Sequence, residues 1–112
     1  MNVVNLIGTV AVAPVYHCSV NAYDLVRLQL ITRDGRGERQ RHHCLAFGPA
    51  ALSLHAHLAP GNQLLVRGEL RYRFRGSDET RERVPYVLVR GFSFLDGRRL
   101  RRSAAAALPA SG

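Results

Sequence analysis

PGNQLLVRGELRYRFRG, residues Pro60 to Gly76, is the stretch whose period decides the fold. Taken two residues at a time, Leu64, Val66, Leu70, Tyr72 and Phe74 fall on one side, and Leu65, Arg67, Glu69, Arg71, Arg73 and Arg75 on the other. Such alternation marks a β-strand, whose successive side chains point to opposite faces. Gly68 interrupts the run where a missing side chain permits a sharp bend, so the strand suits coiling around a small barrel better than lying flat. One face then packs a core while the other lays guanidinium groups along a surface. A row of cations with rings beside it suits a nucleic-acid strand, because charge neutralises phosphates and flat faces stack bases.

The flanking chain supplies the rest of such a barrel. Val3 to Val12 has the β-branched enrichment of a strand, with Gly8 as a bulge or close-approach point, and it stops at Pro14. Tyr16 to Asp24 lacks a clear period and reads as a loop, at most with a short strand continuation. Leu25 to Thr32 alternates, with Val26, Leu28 and Leu30 opposite Arg27 and Gln29, and it ends at the turn dipeptide Asp34-Gly35. Gln40 to Phe47 returns, so these three strands read as an antiparallel meander. Gly48-Pro49 breaks the pattern, and Ala50 to Leu58 takes a helical period with Ala51, Leu54 and Leu58 on one face. After the long strand and a polar loop, Ser77 to Arg83, the last strand runs from Val84 to Leu95. Val87, Val89 and Leu95 lie on one side of it, and Tyr86, Leu88, Phe92 and Phe94 on the other. Both sides are apolar, so one is expected to face another subunit.

Three strands, a short helix and two more strands is the order of an oligonucleotide/oligosaccharide-binding (OB) barrel. The expected fold is therefore all-β with one short helix, a five-stranded OB-fold barrel, although other small barrels use the same elements. The barrel domain is placed at 1–95. From Asp96 the composition shifts to four arginines followed by small residues, so 96–112 reads as a basic, mostly disordered tail.

At 112 residues the chain has room for one domain and a single core. Its formal charge is +8, and all sixteen basic residues are arginine. That excess favours a polyanionic partner, nucleic acid above all, though ribosomal and membrane-surface proteins share the signature. Cys18 and Cys44 are too few for a disulfide framework and read as free thiols in a reducing compartment. No basic leader precedes the first apolar residues and no run of ~18 apolar residues occurs, so a soluble cytoplasmic, nucleoid-associated protein with no membrane partner is expected. No carboxylate pair, phosphate loop or nucleophile elbow is seen, which argues against an enzyme. His17-Cys18 and His42-His43-Cys44 lack metal-ligand spacing, and His42 and His43 point to opposite faces of a strand, so neither metal nor cofactor is expected.

Four pieces, in order, go further: Val3-Val4-Asn5-Leu6-Ile7-Gly8, Leu28-Gln29-Leu30-Ile31-Thr32, His42 through Gly48, and Pro60 through Arg71. With these the chain resembles the bacterial single-stranded DNA-binding protein family from about Asn2 to Leu95. The resemblance implies an OB-fold that assembles into dimers or tetramers and wraps single-stranded DNA without sequence preference, in replication, recombination or repair. It also implies that Phe47 stacks a base, that His42 lies at a subunit interface, and that Tyr72 to Arg75 lies where the family places a tryptophan. The chain has no tryptophan; Arg41 and Arg75 stand at or near two such positions. The family's acidic C-terminal tip is replaced by a basic tail. Gly8-Thr9-Val10-Ala11-Val12-Ala13-Pro14 also looks like the opening of the primosomal replication protein B family, which implies an adapter acting on replication-restart proteins.

The candidate nucleic-acid-binding residues are Phe47, Arg27, Arg41, Arg67, Arg71, Tyr72, Arg73, Phe74 and Arg75. Phe47 shares alternation with Arg41, His43 and Leu45, opposite the smaller Cys44 and Ala46, which predicts that it is exposed. Tyr72 and Phe74 share parity with core residues, so they stack bases only if the strand extends beyond the barrel. The expected function is non-enzymatic binding of single-stranded DNA. The alternatives are the primosomal adapter, an RNA-binding OB domain and, last, an OB-fold nuclease.

Overall fold

A computed structural model describes residues 1–19 and 21–95; the tail expected at 96–112 lies outside the described residues. In chain order the elements are β1 (Val4–Val10), β2 (Val15–Cys18), β3 (Asp24–Arg33), β4 (Arg39–Phe47), α1 (Pro49–His57), β5 (Gln63–Arg75) and β6 (Glu82–Phe94). Strands β1, β5, β6, β4 and β3 are paired in that order, and β3 pairs back to β1 through Thr9–Ile31 and Val10–Leu30. Five strands thus form a closed ring, as in an OB-fold, with one short helix between β4 and β5. All pairings are antiparallel except β4 with β6.

The sixth strand, β2, was expected mainly as loop. It pairs with the first half of β3, Val15 opposite Arg27 through Cys18 opposite Asp24. All four of its residues are exposed, so neither face is selected for apolarity and no alternation marks it. Its turn is held locally, by the Ser19 carbonyl accepting from the Ala22 N–H and the Ser19 hydroxyl oxygen accepting from the Tyr23 N–H.

The core fills the ring with the residues that alternation selects. Val26, Leu28 and Leu30 of β3, Cys44 and Ala46 of β4, and Leu64 and Val66 of β5 are all buried. Ala51, Leu54 and Leu58 close one end from the helix and its cap. Full burial of one such leucine stabilises by about 1.5–3 kcal/mol. Pro49 occupies the first helical turn, where its missing N–H costs nothing, so the Gly48-Pro49 break that follows β4 also starts α1.

Gly68 fixes where the ring ends. A Cβ there would stand 2.1 Å from the Leu88 carbonyl oxygen, so only glycine permits this approach. Arg67 faces Gly91 and Gly68 faces Val89, leaving Arg90 as the extra residue of a bulge. The extra residue reverses the parity of β6. Phe92 and Phe94 therefore pack against the same core as Val87 and Val89, and not beside Tyr86 and Leu88 as simple alternation predicts.

Beyond the bulge, β6 pairs with β4 only at Val87 and Leu88, and residues 82–86 pair with β5 alone. The result is a two-stranded ribbon projecting from the ring. From Leu70 onward every residue of β5 is exposed.

Candidate functional site

Strand alternation and the ribbon together build a groove on the outer face of the ring. Arg41, His43, Leu45 and Phe47 step along one side of β4, opposite Ile31, Gln29, Arg27 and Leu25 of β3. Phe47 is 48% exposed, as its parity predicts for a residue facing away from Cys44 and Ala46. The ribbon overhangs this face: Arg73 and Tyr86 meet Arg27, Gln29, His43 and the Val12–Val15 connection around one hollow. A neighbouring hollow joins Arg41 and His43 to Arg73, Arg75 and Tyr86. The floor is thus the sheet face, and the walls are a loop and a hairpin, the places where an OB-fold holds oligonucleotides.

Of the residues singled out from the sequence, Arg27, Arg41, Arg73 and Arg75 converge on this groove, with Phe47 farther along the same face of β4. Arg71 lies on the same side of the ribbon as Arg73, opposite Tyr86. Arg67 does not join them. It lies on the ring side of the bulge, in a separate hollow with Asn2, Val3, Glu69 and Arg90, so the expected single row is broken in two. Tyr72 and Phe74 are 51% and 56% exposed, but on the opposite face of the ribbon from Arg71, Arg73 and Arg75. His42 points to the core side beside Leu30, partly buried, with its Nε2 2.8 Å from the Thr32 hydroxyl.

Tyr86 is a ring that strand alternation alone does not place in the groove. Simple alternation groups it with Phe92 and Phe94 on one apolar side, a grouping that the Arg90 bulge breaks. Its alternation with Val84 and Leu88 was the local signal, but the Arg71 directly across from it comes only from the pairing with β5.

Carboxylates restrain part of the cationic surface. Glu69 accepts from Arg71 Nη2 at 2.7 Å and from Arg90 Nε at 3.1 Å, and Arg75 Nη2 pairs with Glu82 at 2.7 Å. Hydrogen bonds from Arg71 and then Arg90 hold the Glu69 carboxyl below the usual carboxylate range. Among the described residues, Arg27, Arg67 and Arg73 make no ion pair. Arg41 is turned toward β3 by a hydrogen bond to the Gln29 side-chain oxygen. An incoming polyanion must compete with Glu69 for Arg71. Glu69→Gln is therefore expected to tighten binding of an anionic strand roughly two- to fivefold at low salt, in keeping with the small worth of an exposed pair. Fluorescence titration of the variant beside the parent checks this; unchanged or weaker binding would place Arg71 outside the contact.

Among the described residues, no three His, Cys, Asp or Glu side chains stand together to hold a metal. Cys44 is buried, which pushes its thiol up to about 12 and disfavours the thiolate that a metal requires. No helix among the described residues is long and apolar enough to cross a membrane.

The model of the single-strand binding protein family matches residues 1–95. No curated protein matches the chain.

Proposed function

Because the chain belongs to the single-strand binding protein family, we propose that it binds single-stranded DNA in the groove of β3, β4 and the ribbon, without catalysis and without marked sequence preference. The observation that carries this reading is the meeting of Arg27, Arg41, Arg73 and Arg75 around one groove with an aromatic wall at Tyr86 and an exposed ring at Phe47. The arginines displace condensed counterions along the phosphates, and the rings take bases that a duplex would keep stacked on one another. Arginine also stacks its own plane on bases, so Arg41 and Arg75 serve in place of the family's tryptophans.

Within this reading the chain acts in replication, recombination or repair in the cytoplasm, on DNA exposed in the nucleoid. It works as a homodimer or homotetramer. Exposed apolar residues on β1 and before it, Ile7 at 64% and Val3 at 45%, support association, and the half-buried His42, bonded to Thr32, is read as part of the subunit contact.

Competition mobility shift with oligo-dT, oligo-U and a duplex of equal length tests the proposal. Oligo-dT is expected to compete best. Preference for oligo-U indicates an RNA-binding domain, and preference for the duplex overturns the groove as the site. Phe47→Ala should weaken oligo-dT binding about tenfold, within the range of one lost stack. Ser93→Ala, on an exposed position of β6 paired with Leu65, should change nothing.

A further inference from the structure

Among the described residues that line the groove, every fixed cation is an arginine, whose guanidinium stays charged at any ordinary pH. His43 stands in their midst. It is exposed on β4 and lines both hollows, directly across from Gln29 of β3 and on the same side of its own strand as Arg41 and Leu45. Arg73 and Arg75 of β5 and Tyr86 of β6 face it from the ribbon, Arg27 of β3 shares one hollow with it, and the connection after β1 adds only Val12, Ala13 and Val15. Among the described residues no carboxylate lines either hollow, and Glu69 and Glu82 of the ribbon are taken up by Arg71, Arg90 and Arg75. Other histidines are engaged elsewhere: His42 with the Thr32 hydroxyl, His57 by donating from Nδ1 to the Ser53 carbonyl, and His55 against the Tyr16 ring. His17 lies on β2, across from Leu25 and outside both hollows. Among the described residues the His43 ring has no hydrogen-bond partner, so both of its nitrogens are open to a ligand.

Imidazole is the side chain that ordinarily changes charge between about pH 5 and pH 8. A neutral ring donates from one nitrogen, whereas a protonated ring donates from both and carries a positive charge. A phosphate drawn into the groove by the arginines sets an opposite charge beside the ring and so favours its protonated form. We propose that His43 is a proton-linked phosphate contact: the groove takes up a proton at His43 when it binds a strand, so its hold tightens as the pH falls through neutrality. The proposal rests on the single-strand-binding reading above. Linkage fixes the sign. The contribution of His43 is fully present where the bound ring is charged, and it is lost as the pH rises through the range in which the bound ring gives up its proton. Beneath it the arginines supply a constant attraction, because none of them changes charge over that range.

The test is titration with oligo-dT at about pH 6 and about pH 8, toward the two ends of the imidazole range, on the full chain and on His43→Gln, His43→Arg and His55→Gln. The parent should bind roughly three- to fivefold more tightly at the lower pH, in keeping with one exposed charge pair. Its slope of log K against log salt should be steeper there by about 0.7. His43→Gln should lose the difference and bind at both pH values as the parent binds at the higher one. His43→Arg should lose it too, but bind throughout as the parent binds at the lower one. His55→Gln, on the helix against Tyr16 and outside the groove, should keep it. Calorimetric titration in two buffers of unlike ionisation enthalpy should show proton uptake by the parent that is lost in His43→Gln. Parental binding that ignores pH overturns the proton link and leaves the groove intact. So does a pH dependence that His43→Gln retains, which assigns the proton to another histidine such as His17, or one that His55→Gln loses equally. Failure of the parent to bind oligo-dT at either pH defeats the single-strand-binding reading itself.

Discussion

Removing Tyr86 and Arg73 together is expected to lower affinity for oligo-dT by about 100-fold or more. The two residues line both hollows of the groove and reach it from adjacent strands of the ribbon. Losing one stacked base costs about 1–3 kcal/mol, and losing one phosphate contact reduces the salt slope by about 0.7. Tyr86→Ala alone should weaken binding with little change in slope, whereas Arg73→Ala alone should weaken it and flatten the slope. Equilibrium titration at two salt concentrations separates them. Double-variant affinity within threefold of the parent would remove the groove from the account.

Gly68→Ala is expected to destabilise the fold by about 3 kcal/mol or more, at or above the upper end of what overpacking costs. Its Cβ would meet the Leu88 carbonyl oxygen at 2.1 Å and Val87 Cγ1 at 3.0 Å, and the first of these atoms belongs to the paired strand's backbone and cannot swing aside. Against a typical stability of 5–15 kcal/mol that loss is large. Gly91→Ala is the matched control. Gly91 stands across from Arg67 one residue beyond the bulge, and a Cβ there meets nothing within 4 Å. Urea unfolding should show a lower midpoint for Gly68→Ala and an almost unmoved one for Gly91→Ala. Equal midpoints would mean that the bulge does not fix the ribbon's departure.

Much of this architecture is legible in the residues, because one buried face imposes a period. Val26, Leu28 and Leu30, and likewise Leu64 and Val66, alternate because every second side chain enters the ring. The same rule set Phe47 outside. It fails where its physical cause is missing. β2 buries nothing, so its four residues carry no period. Arg90 inserts one residue into β6, and a single insertion moves every later side chain to the other face, which put Tyr86 and Phe92 in the wrong company. The arginines of β5 were legible as a strand face but not as a divided one. Neither the bulge separating Arg67 from Arg73 nor the Glu69 pairing with Arg71 and Arg90 depends on local sequence alone, since both need β6 alongside.

The same dependence on β6 makes the groove a tertiary object, and its charge is its most direct signature. The decisive measurement is the slope of log K against log salt for oligo-dT, taken on the parent and on a chain with Arg27, Arg41, Arg73 and Arg75 all changed to alanine. Four engaged arginines predict a parental slope of about −2.8 or steeper, and a variant slope shallower by roughly that amount. A parental slope near zero, or a variant that binds with the parent's slope and affinity, would contradict the claim that these four guanidinium groups carry the strand.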